Sequence, residues 1–309
     1  MIAALIALTL FGVAALGSLS LAAFFGGAGY PMEVFSHFRP HYCAGGLIFG
    51  ASLLVLKRPQ AALVPATIAI INCAALFTPL LNPASSAVRA DGQRIRVLWA
   101  NLEYSPAALA AFAKLAAETD ADIIALTELP AGDPYAASIA LPFLPGVVAP
   151  TDISIFAVAL QGREAFAGGG DVPGTRPPWR SAAQWAQTPS GLRIVALHPT
   201  PPIDADALWA RDELIRAAGQ AATMTPTSLL VGDFNATPWS RVMIDLKATG
   251  LKRVDCGAPW TSTWRSRRPL AGLPIDSAYV GSGIRAASCR VGPDIGSDHF
   301  PLIIDLELP

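Results

Sequence analysis

The first 82 residues of the chain constrain its fold most, because they contain only four acidic or basic side chains, Glu33, Arg39, Lys57 and Arg58. The whole chain has 309 residues, of which 52% are hydrophobic, and a mean hydropathy of +0.44. That is too apolar for an ordinary soluble protein. Since the apolar excess is concentrated in residues 1–82, we expect this segment to lie in a lipid bilayer and the rest to be globular.

Three apolar stretches in this segment are expected to be transmembrane helices, at about residues 2–25, 41–56 and 61–81. A cleaved signal peptide is the alternative for the first stretch, but that stretch lacks a basic start and further apolar stretches follow directly. Lys57 and Arg58 lie in the short link between the second and third stretches, which the positive-inside rule assigns to the cytoplasm. We therefore expect an integral membrane protein whose globular part is extracytoplasmic.

Charge and cysteine content narrow the function of the globular part. Removing three basic and one acidic residue from the chain's 22 Lys and Arg and 23 Asp and Glu leaves residues 83–309 with a net charge of −3, which does not indicate a nucleic-acid surface. Cys43 and Cys73 lie in apolar stretches and are interpreted as small hydrophobic residues. Cys256 and Cys289 either form a disulfide or remain two buried thiols.

After an expected linker at residues 83–93, the globular domain is predicted to span residues 94–309. It begins with a strand, a helix and a strand, which predicts mixed α/β layers. The helix is expected to have Ser105 as its N-cap and Pro106 at its first position. The predicted strands are 94–100, 122–127, 153–160, 181–187, 192–198, 228–232, 275–280, 285–291 and 301–306, and the predicted helices are 105–118, 205–222 and 240–249.

Polar side chains stand at the ends of several of these strands, where a sheet brings side chains to one edge. In the segment LLVGDFN an apolar strand is followed by Gly232, which we interpret as a turn residue, and then by an acid and an amide. A buried acid without partners would be unfavourable, so a metal ion or substrate is expected there. The candidate residues are Asn101, Glu103, Glu128, His198, Asp233, Asn235, Asp276, Asp298 and His299.

This set offers carboxylates, neutral oxygens, imidazoles and amides, without a cysteine ligand or a glycine-rich phosphate loop. Oxygen ligands favour Mg²⁺, with Mn²⁺ as a second option, over Zn²⁺. Hydrolysis of a phosphoester needs a metal to neutralise oxygens, a base to aim water and donors for the developing charge. The set contains groups for all three tasks.

In chain order, the motifs WANLE, TELP, HPTPP, GDFNATP, IDS and SDH resemble those of the endonuclease/exonuclease/phosphatase superfamily. This superfamily includes pancreatic deoxyribonuclease, abasic-site endonucleases, sphingomyelinases and inositol polyphosphate 5-phosphatases. The resemblance covers about residues 94–308. It implies an α/β (α+β) four-layer sandwich of two mixed β-sheets flanked by helices.

The resemblance also implies roles for the candidate residues on the metal side of the site. Glu128 corresponds to the principal Mg²⁺ ligand, helped by Asn101 and Asp298. Glu103 would lie near the metal through water. It stands where several nucleases have Asp, so we expect a secondary role for it.

On the catalytic side, Asp233 would orient or deprotonate the attacking water, and Asn235 and His198 would hold the scissile phosphate. His299, kept protonated and oriented by Asp276, would stabilise the developing negative charge. Many relatives have His or Tyr directly after this aspartate, whereas this chain has Ser277. The departure bears on substrate preference more than on activity.

The three apolar stretches followed by this domain also resemble VanJ-type bacterial membrane proteins of glycopeptide resistance, and this likeness suggests a lipid-linked or other small phosphoester or pyrophosphate as substrate. The alternatives are an extracytoplasmic nuclease on DNA or RNA and an inactive scaffold. Two groups of Arg and Trp are predicted either to line the mouth of the site or to be solvated loops. They are Trp260, Trp264, Arg265, Arg267 and Arg268, and Arg176, Trp179 and Arg180.

Overall fold

A computed structural model describes most of the chain, and its contacts divide the chain into two units. One unit comprises residues 1–81 and 239–241, and the other comprises residues 82–238 and 242–309. The predicted linker, apart from its last two residues, and the Arg176, Trp179 and Arg180 group lie outside the described residues. The described residues are 1–77, 92–130, 144, 146–148, 156–172, 182–268 and 271–309.

The N-terminal unit is helical. Its helices are α1 (Ile2–Phe24), α2 (Met32–Ser36), α3 (Arg39–Val55) and α4 (Pro59–Phe77), with a short 3₁₀ turn at Gly26–Ala28. Helices α3 and α4 pack closely where Gly46 faces the α4 backbone, because a Cβ atom at Gly46 would lie 2.6 Å from the carbonyl oxygen of Pro65. Small residues at such positions let helices approach each other.

Among the described residues, two helices are long and apolar enough to cross a bilayer, α1 and α4. Helix α3 has 17 residues, which is short for a bilayer core about 30 Å thick. The expectation of three spans is therefore not confirmed. These criteria concern length and composition only, so a signal sequence would satisfy them too.

The globular unit contains two six-stranded sheets flanked by helices. Its strands are β1 (Arg94–Asn101), β2 (Ile123–Thr127), β3 (Gly146–Val148), β4 (Val158–Gly162), β5 (Gly168–Asp171), β6 (Ala182–Gln187), β7 (Arg193–His198), β8 (Ser228–Asp233), β9 (Lys252–Arg253), β10 (Asp276–Val280), β11 (Arg285–Val291) and β12 (Leu302–Glu307). Its described helices are α5 (Pro106–Glu118), α6 (Ala205–Thr223) and α7 (Arg241–Ala248). The strand orders are β11-β12-β1-β2-β4-β3 and β5-β6-β7-β8-β10-β9.

Both sheets are mixed, because β1 and β2 are parallel, β7 and β8 are parallel, and the other described pairs are antiparallel. Side chains alternate along β1: Val97 and Trp99 enter the core between the sheets, whereas Leu98 packs on the side of α5. Helices α6 and α7 cover the outer face of the second sheet. The result is the four-layer arrangement of helix, sheet, sheet and helix that the resemblance implies.

Most predicted elements are confirmed within one or two residues. The Ser105 side chain accepts a hydrogen bond from the Ala108 N–H, so it caps α5 as predicted. The start of the strand predicted at 153–160 lies outside the described residues, and the described strand is Val158–Gly162. The sequence did not predict β3, β5 and β9, which have two to four residues each.

The interpretation of Gly232 as a turn residue is wrong. Gly232 lies inside β8, paired with Ser277 of β10, and does not have a positive φ. A Cβ atom at this position would clash with the backbone oxygen and side chain of Leu197 on the neighbouring β7. The absence of a side chain therefore allows the two parallel strands to approach each other.

Two disulfides are present among the described residues, and each joins separate elements. Cys43 of α3 and Cys73 of α4 are bonded, with Cα atoms 5.6 Å apart, so the interpretation of both as plain hydrophobic residues is wrong. Cys256 and Cys289 are also bonded, with Cα atoms 4.4 Å apart. The second disulfide links β11 at the edge of one sheet to the segment after β9 at the edge of the other.

We expect removal of the Cys256–Cys289 disulfide to lower the free energy of unfolding by about 4 kcal/mol, because the bond closes a loop of some thirty residues. The measurement is denaturant unfolding of a Cys43→Ala/Cys73→Ala protein with and without reductant. Reductant should destabilise this protein, and adding Cys256→Ala/Cys289→Ala should abolish that sensitivity. Equal stability with and without reductant would contradict the expectation.

Candidate functional site

In five strands, the row of side chains that faces the space between the two sheets ends in a polar residue. Val, Ile, Leu and Ala fill most of this space, and the polar residues lie together where the five strands end or begin, a region that we call the rim. Asp233 ends β8 and stands opposite Asp276, the first residue of the antiparallel β10. The other strand-end residues of the rim are Asn101, Thr127 and His198.

An aspartate and a histidine form a buried pair at the rim. The Nδ1 of His299 lies 2.8 Å from the Oδ2 of Asp276, and both residues are only 4% exposed. Burial by itself would lower the pKa of His299, but the carboxylates of Asp276 and Asp233 outweigh it and raise the pKa to about 10. The imidazole is therefore held in its protonated form at neutral pH.

Asp233 lies at the centre of the rim. Its Oδ2 is 3.3 Å from the Nδ2 of Asn101, 3.5 Å from the Nε2 of His198 and 3.7 Å from the Nε2 of His299. The backbone N–H of Asn235 donates to its Oδ1 at 2.8 Å. Burial raises the pKa of Asp233 to about 8, against the opposing effect of His299. A carboxylate with a pKa in this range is suited to accept a proton near neutral pH.

His198 is neutral, and its hydrogen bonds define its tautomer. Burial and the positive charge of His299 lower the pKa of His198 to about 3. The Thr127 hydroxyl donates to the carbonyl of Ala157 at 3.0 Å, so it accepts from the Nδ1–H of His198, 2.8 Å away. The Nε2 therefore carries a lone pair. A phosphate contact by His198 needs a proton on this nitrogen, so that role stays a prediction.

Glu128 faces the same nitrogen. Its Oε1 lies 3.5 Å from the Nε2 of His198, the distance that also separates this nitrogen from the Oδ2 of Asp233. Burial raises the pKa of Glu128, although a hydrogen bond from Asn101 opposes this. Three electron-pair donors thus meet here, an arrangement that is unfavourable without a proton or a cation. A divalent cation beside the Glu128 carboxylate would relieve this crowding, and carboxylate oxygens suit such an ion.

Glu103 and Asp298 lie beside each other, next to the Arg and Trp loop. The Glu103 carboxylate accepts from the backbone N–H of Asp298 at 2.9 Å and pairs with Arg267 at 2.9 Å. The Asp298 Oδ1 is 3.8 Å from the Nε2 of His299, and its Oδ2 accepts from the Nε1–H of Trp264 at 3.1 Å. Arg265 lies over the Trp264 ring, 4.6 Å from its centroid. Arg267 and Trp264 thus contact predicted site residues directly.

The two asparagines of the site are both held by hydrogen bonds. The Asn101 Oδ1 accepts from the Glu103 N–H at 3.0 Å, which turns its amide nitrogen toward the acids. A ligand role for its oxygen stays a prediction. The Asn235 Nδ2 donates to the carbonyl of Pro199 at 2.9 Å and so ties the segment after His198 to the segment after β8. Glu103, Glu128 and Asn235 all have positive φ, a backbone strain typical of functional sites.

Ligand atoms of Asp233, Asp276 and His299 lie within 4.8 Å of one another, which is a spacing that metal ligands have. The Asp276 and His299 atoms are hydrogen-bonded to each other at 2.8 Å, which leaves no room for an ion between them. A hydrogen-bonded acid and imidazole, with a second acid nearby, suit proton transfer and charge stabilisation better. These three residues thus form a hydrogen-bonded group suited to proton transfer, and the metal role of Glu128 and Asp298 stays a prediction.

Sequence reasoning missed several residues that hold the site together. Thr127 orients His198, and the Ser297 hydroxyl donates to the carbonyl of Asn101 while accepting from the His299 N–H. The Nε1–H of Trp99 donates to the Asp276 Oδ1 at 2.8 Å, and Arg211 donates to the carbonyl of Asn235 at 3.1 Å. Thr127 and Trp99 lie on the inward-facing rows of β2 and β1, so the alternation of side chains predicts that both face the space between the sheets.

Known proteins share this architecture. Residues 98–299 match the sequence profile of the Endonuclease/Exonuclease/phosphatase family. A protein of this family from Beutenbergia cavernae DSM 12333 superimposes with a TM-score of 0.59 at 17% identity, covering 70% of this chain and 72% of its own. Sphingomyelinase C from Streptomyces griseocarneus gives a TM-score of 0.52 at 16% identity over 69% of this chain and 99% of its own.

A third similar structure is D. rerio TDP2 complexed with a single-strand DNA product, with a TM-score of 0.56 at 16% identity over 70% of this chain and 99% of its own. No curated protein sequence matches the chain significantly. At these identities the structural likenesses show the fold alone.

Proposed function

The chain belongs to the endonuclease/exonuclease/phosphatase family, whose members are metal-dependent phosphoester hydrolases, and we propose that it is a Mg²⁺-dependent hydrolase anchored in a membrane. Its proposed substrate is a lipid-linked or small phosphoester or pyrophosphate outside the cytoplasm. The observation that carries the proposal is the meeting of Glu128, His198, Asp233 and His299 at one rim, where successive members of this series lie 3.5, 3.5 and 3.7 Å apart.

In the proposed site, Glu128 and Asp298 would hold the divalent cation, with Asn101 beside them and Glu103 reaching it through water. A bound divalent cation neutralises nonbridging phosphate oxygens and so favours attack at phosphorus. The raised pKa of Glu128, which burial causes, is relieved when a cation lies next to the carboxylate. This agrees with Mg²⁺, a hard cation that prefers oxygen ligands.

The remaining residues handle the water molecule, the proton and the developing charge. Asp233 accepts a proton from the attacking water, and the Asn235 N–H, which holds its Oδ1, turns Oδ2 toward Asn101 and the two histidines. His299 keeps its proton through Asp276 and donates a charged hydrogen bond to the oxygen that becomes negative. Asn235 would contact the phosphate, and His198 would do so once its Nε2 carries a proton.

Support for a membrane anchor comes from the surface of α1. Leu8 and Phe11 are 68% and 73% exposed, and the helix has the length to cross a bilayer. Such an apolar surface is unfavourable in water and stable in lipid. The Cys256–Cys289 disulfide supports an extracytoplasmic domain, because disulfides persist in oxidising compartments. A domain tethered to a bilayer meets lipid-borne substrates at high effective concentration.

A substrate panel tests the proposal. The full chain, purified in detergent, is assayed with Mg²⁺ on a prenyl pyrophosphate, on a generic phosphodiester and on plasmid DNA, with EDTA controls. We expect Mg²⁺-dependent release of phosphate from the lipid pyrophosphate in preference to plasmid cleavage. Cleavage of plasmid alone would favour the nuclease alternative, and inactivity on all three substrates would favour an inactive scaffold.

Glu128→Gln is expected to raise the Mg²⁺ concentration for half-maximal activity by at least about tenfold, because the neutral amide is a weaker ligand for a hard cation. The measurement is activity against Mg²⁺ concentration. Glu118→Gln is the matched control, since Glu118 is an exposed residue at the end of α5 that pairs with Lys114. An unchanged Mg²⁺ requirement in Glu128→Gln would remove Glu128 from the metal site.

A further inference from the structure

Two buried or half-buried tryptophans each donate an indole N–H to a different acid next to His299. Trp99 donates to the Oδ1 of Asp276 at 2.8 Å, and Trp264 donates to the Oδ2 of Asp298 at 3.1 Å. Asp276 is hydrogen-bonded to the Nδ1 of the imidazole, and the Oδ1 of Asp298 lies 3.8 Å from its Nε2. The two acids thus face opposite sides of one histidine ring.

Trp99 is placed to control the orientation of the Asp276 carboxylate. It is fully buried in the core between the sheets, and it reaches from β1 of one sheet to β10 of the other. With Oδ1 held by the indole, the carboxylate presents Oδ2 to His299, so each of its oxygens has a hydrogen-bond partner. The Asp276 backbone N–H also donates to the Thr263 hydroxyl oxygen at 3.0 Å, which fixes the main chain of the same residue.

Trp264 does the same for Asp298, a predicted metal ligand. Its backbone pairs with that of His299 in an isolated bridge, and the Ser266 N–H donates to the Asp298 carbonyl at 2.9 Å. With the indole on Oδ2, Asp298 keeps Oδ1 available. Outer-shell donors of this kind orient the groups that contact a metal or a substrate.

We propose that Trp99 and Trp264 are positioning residues with separate tasks. Trp99 orients Asp276 toward His299 and so supports the rate of turnover, whereas Trp264 orients Asp298 and so supports the affinity for the metal. This inference rests on the proposed function and assigns two further residues to it. A buried indole N–H needs an acceptor, which explains the pairings themselves. The separate tasks follow from which acid each indole holds.

The test uses Trp99→Phe and Trp264→Phe in the full chain, with Trp185→Phe as the matched control. Trp185 lies on β6, and the Arg193 guanidinium carbon is 4.0 Å from the centroid of its ring. No described contact joins Trp185 to the acids of the site. Mg²⁺ affinity is measured by calorimetry without substrate, and kcat is measured at saturating Mg²⁺ on the best substrate of the panel.

For Trp99→Phe we expect kcat to fall by about tenfold or more with unchanged Mg²⁺ affinity. For Trp264→Phe we expect the Kd for Mg²⁺ to rise by about tenfold with kcat at saturation retained. The control should change neither quantity. Equal effects of both variants on both quantities, or no effect of either, would overturn the proposal.

A double-mutant cycle separates positioning from packing. Trp99→Phe should have no further effect on kcat in an Asp276→Ala background, because the carboxylate that accepts the indole N–H is absent there. An undiminished effect there would overturn the role of Trp99. If Trp99→Phe does not fold, β-(3-benzothienyl)alanine at position 99 keeps the shape of the indole and removes only its N–H. Loss of kcat in this protein supports the proposal, and full activity contradicts it.

The outcome for the wild-type protein distinguishes this inference from the proposed function. A wild-type chain that neither binds Mg²⁺ nor hydrolyses any substrate of the panel contradicts the proposed function. A wild-type chain that does both, with tryptophan variants that behave identically to it, contradicts only the inference.

Discussion

Asp233→Asn is expected to lower kcat by about 10³-fold, because it removes the proposed acceptor of the proton from the attacking water. The carboxylate lies within 3.5 Å of His198 and 3.7 Å of His299, with one oxygen fixed by the Asn235 N–H. Asparagine has nearly the same shape, so geometry and binding of substrate are preserved while basicity is lost. We therefore expect KM to change little.

The measurement is steady-state kinetics at saturating Mg²⁺, with thermal unfolding as the check on folding. Asp255→Asn is the matched control, since Asp255 is a half-exposed carboxylate that pairs with Arg253 outside the rim. The control should retain wild-type activity. Retention of activity in Asp233→Asn would exclude Asp233 as the base, and equal losses in the two variants would indicate a general effect of altered charge.

His299→Gln is expected to lower kcat by about 10²-fold or more, because glutamine retains a hydrogen-bond donor but not the positive charge that stabilises the developing negative oxygen. His299→Ala removes the donor as well and should lose at least as much. The loss should appear with every phosphoester in the panel, since the charge acts at the reacting phosphate. Substrate-dependent losses would instead indicate a role in recognition.

The pH profile adds an independent readout for His299. Its pKa is raised to about 10, so the imidazolium persists through neutral pH and is lost as the pH rises through that value. Wild-type kcat should therefore fall at strongly alkaline pH through this group. His299→Gln has no proton to lose there, so its lower activity should lack this decline. An identical alkaline decline in both proteins would contradict the assignment.

The rim residues were predictable because their positions follow from strand alternation. In β1, Val97 and Trp99 face the core between the sheets, and Asn101 continues the same row. In β8, Val231 and then Asp233 do the same. An apolar row that ends in a polar residue is visible in the sequence, and parallel strands bring such ends to one edge. Asn101, His198, Asp233 and Asp276 follow this pattern, whereas Glu128, Asp298 and His299 lie outside the strands and were predicted from their motifs.

The contacts that hold the site were not predictable, because they depend on how the two sheets stack. Trp99 alternates as a core residue, and nothing in its neighbourhood indicates that its indole reaches Asp276, 177 positions away. Thr127 precedes Glu128 directly, yet its bond to His198 crosses from one sheet to the other. Gly232 gave a turn signal in the sequence, whereas its cause is the close packing of β7 and β8.

The sequence predicted the helices of the N-terminal unit, but not their lengths or the contacts between them. The described parts of the apolar stretches form helices, but α3 begins at Arg39 and ends at Val55, which is short for a membrane span. The pairing of Cys43 with Cys73 follows from the packing of α3 on α4, which periodicity does not specify. Hydropathy fixes where helices occur, and helix packing decides which of their residues meet.

The central claim is that distant acids and imidazoles gather around one divalent ion at the rim. Anomalous diffraction from crystals of the chain grown with Mn²⁺ tests it most directly, because Mn²⁺ prefers the same oxygen ligands as Mg²⁺. We expect one strong anomalous peak within coordinating distance of the Glu128 carboxylate and on the Asp298 side of His299. A peak elsewhere, with none beside Glu128, would contradict the account.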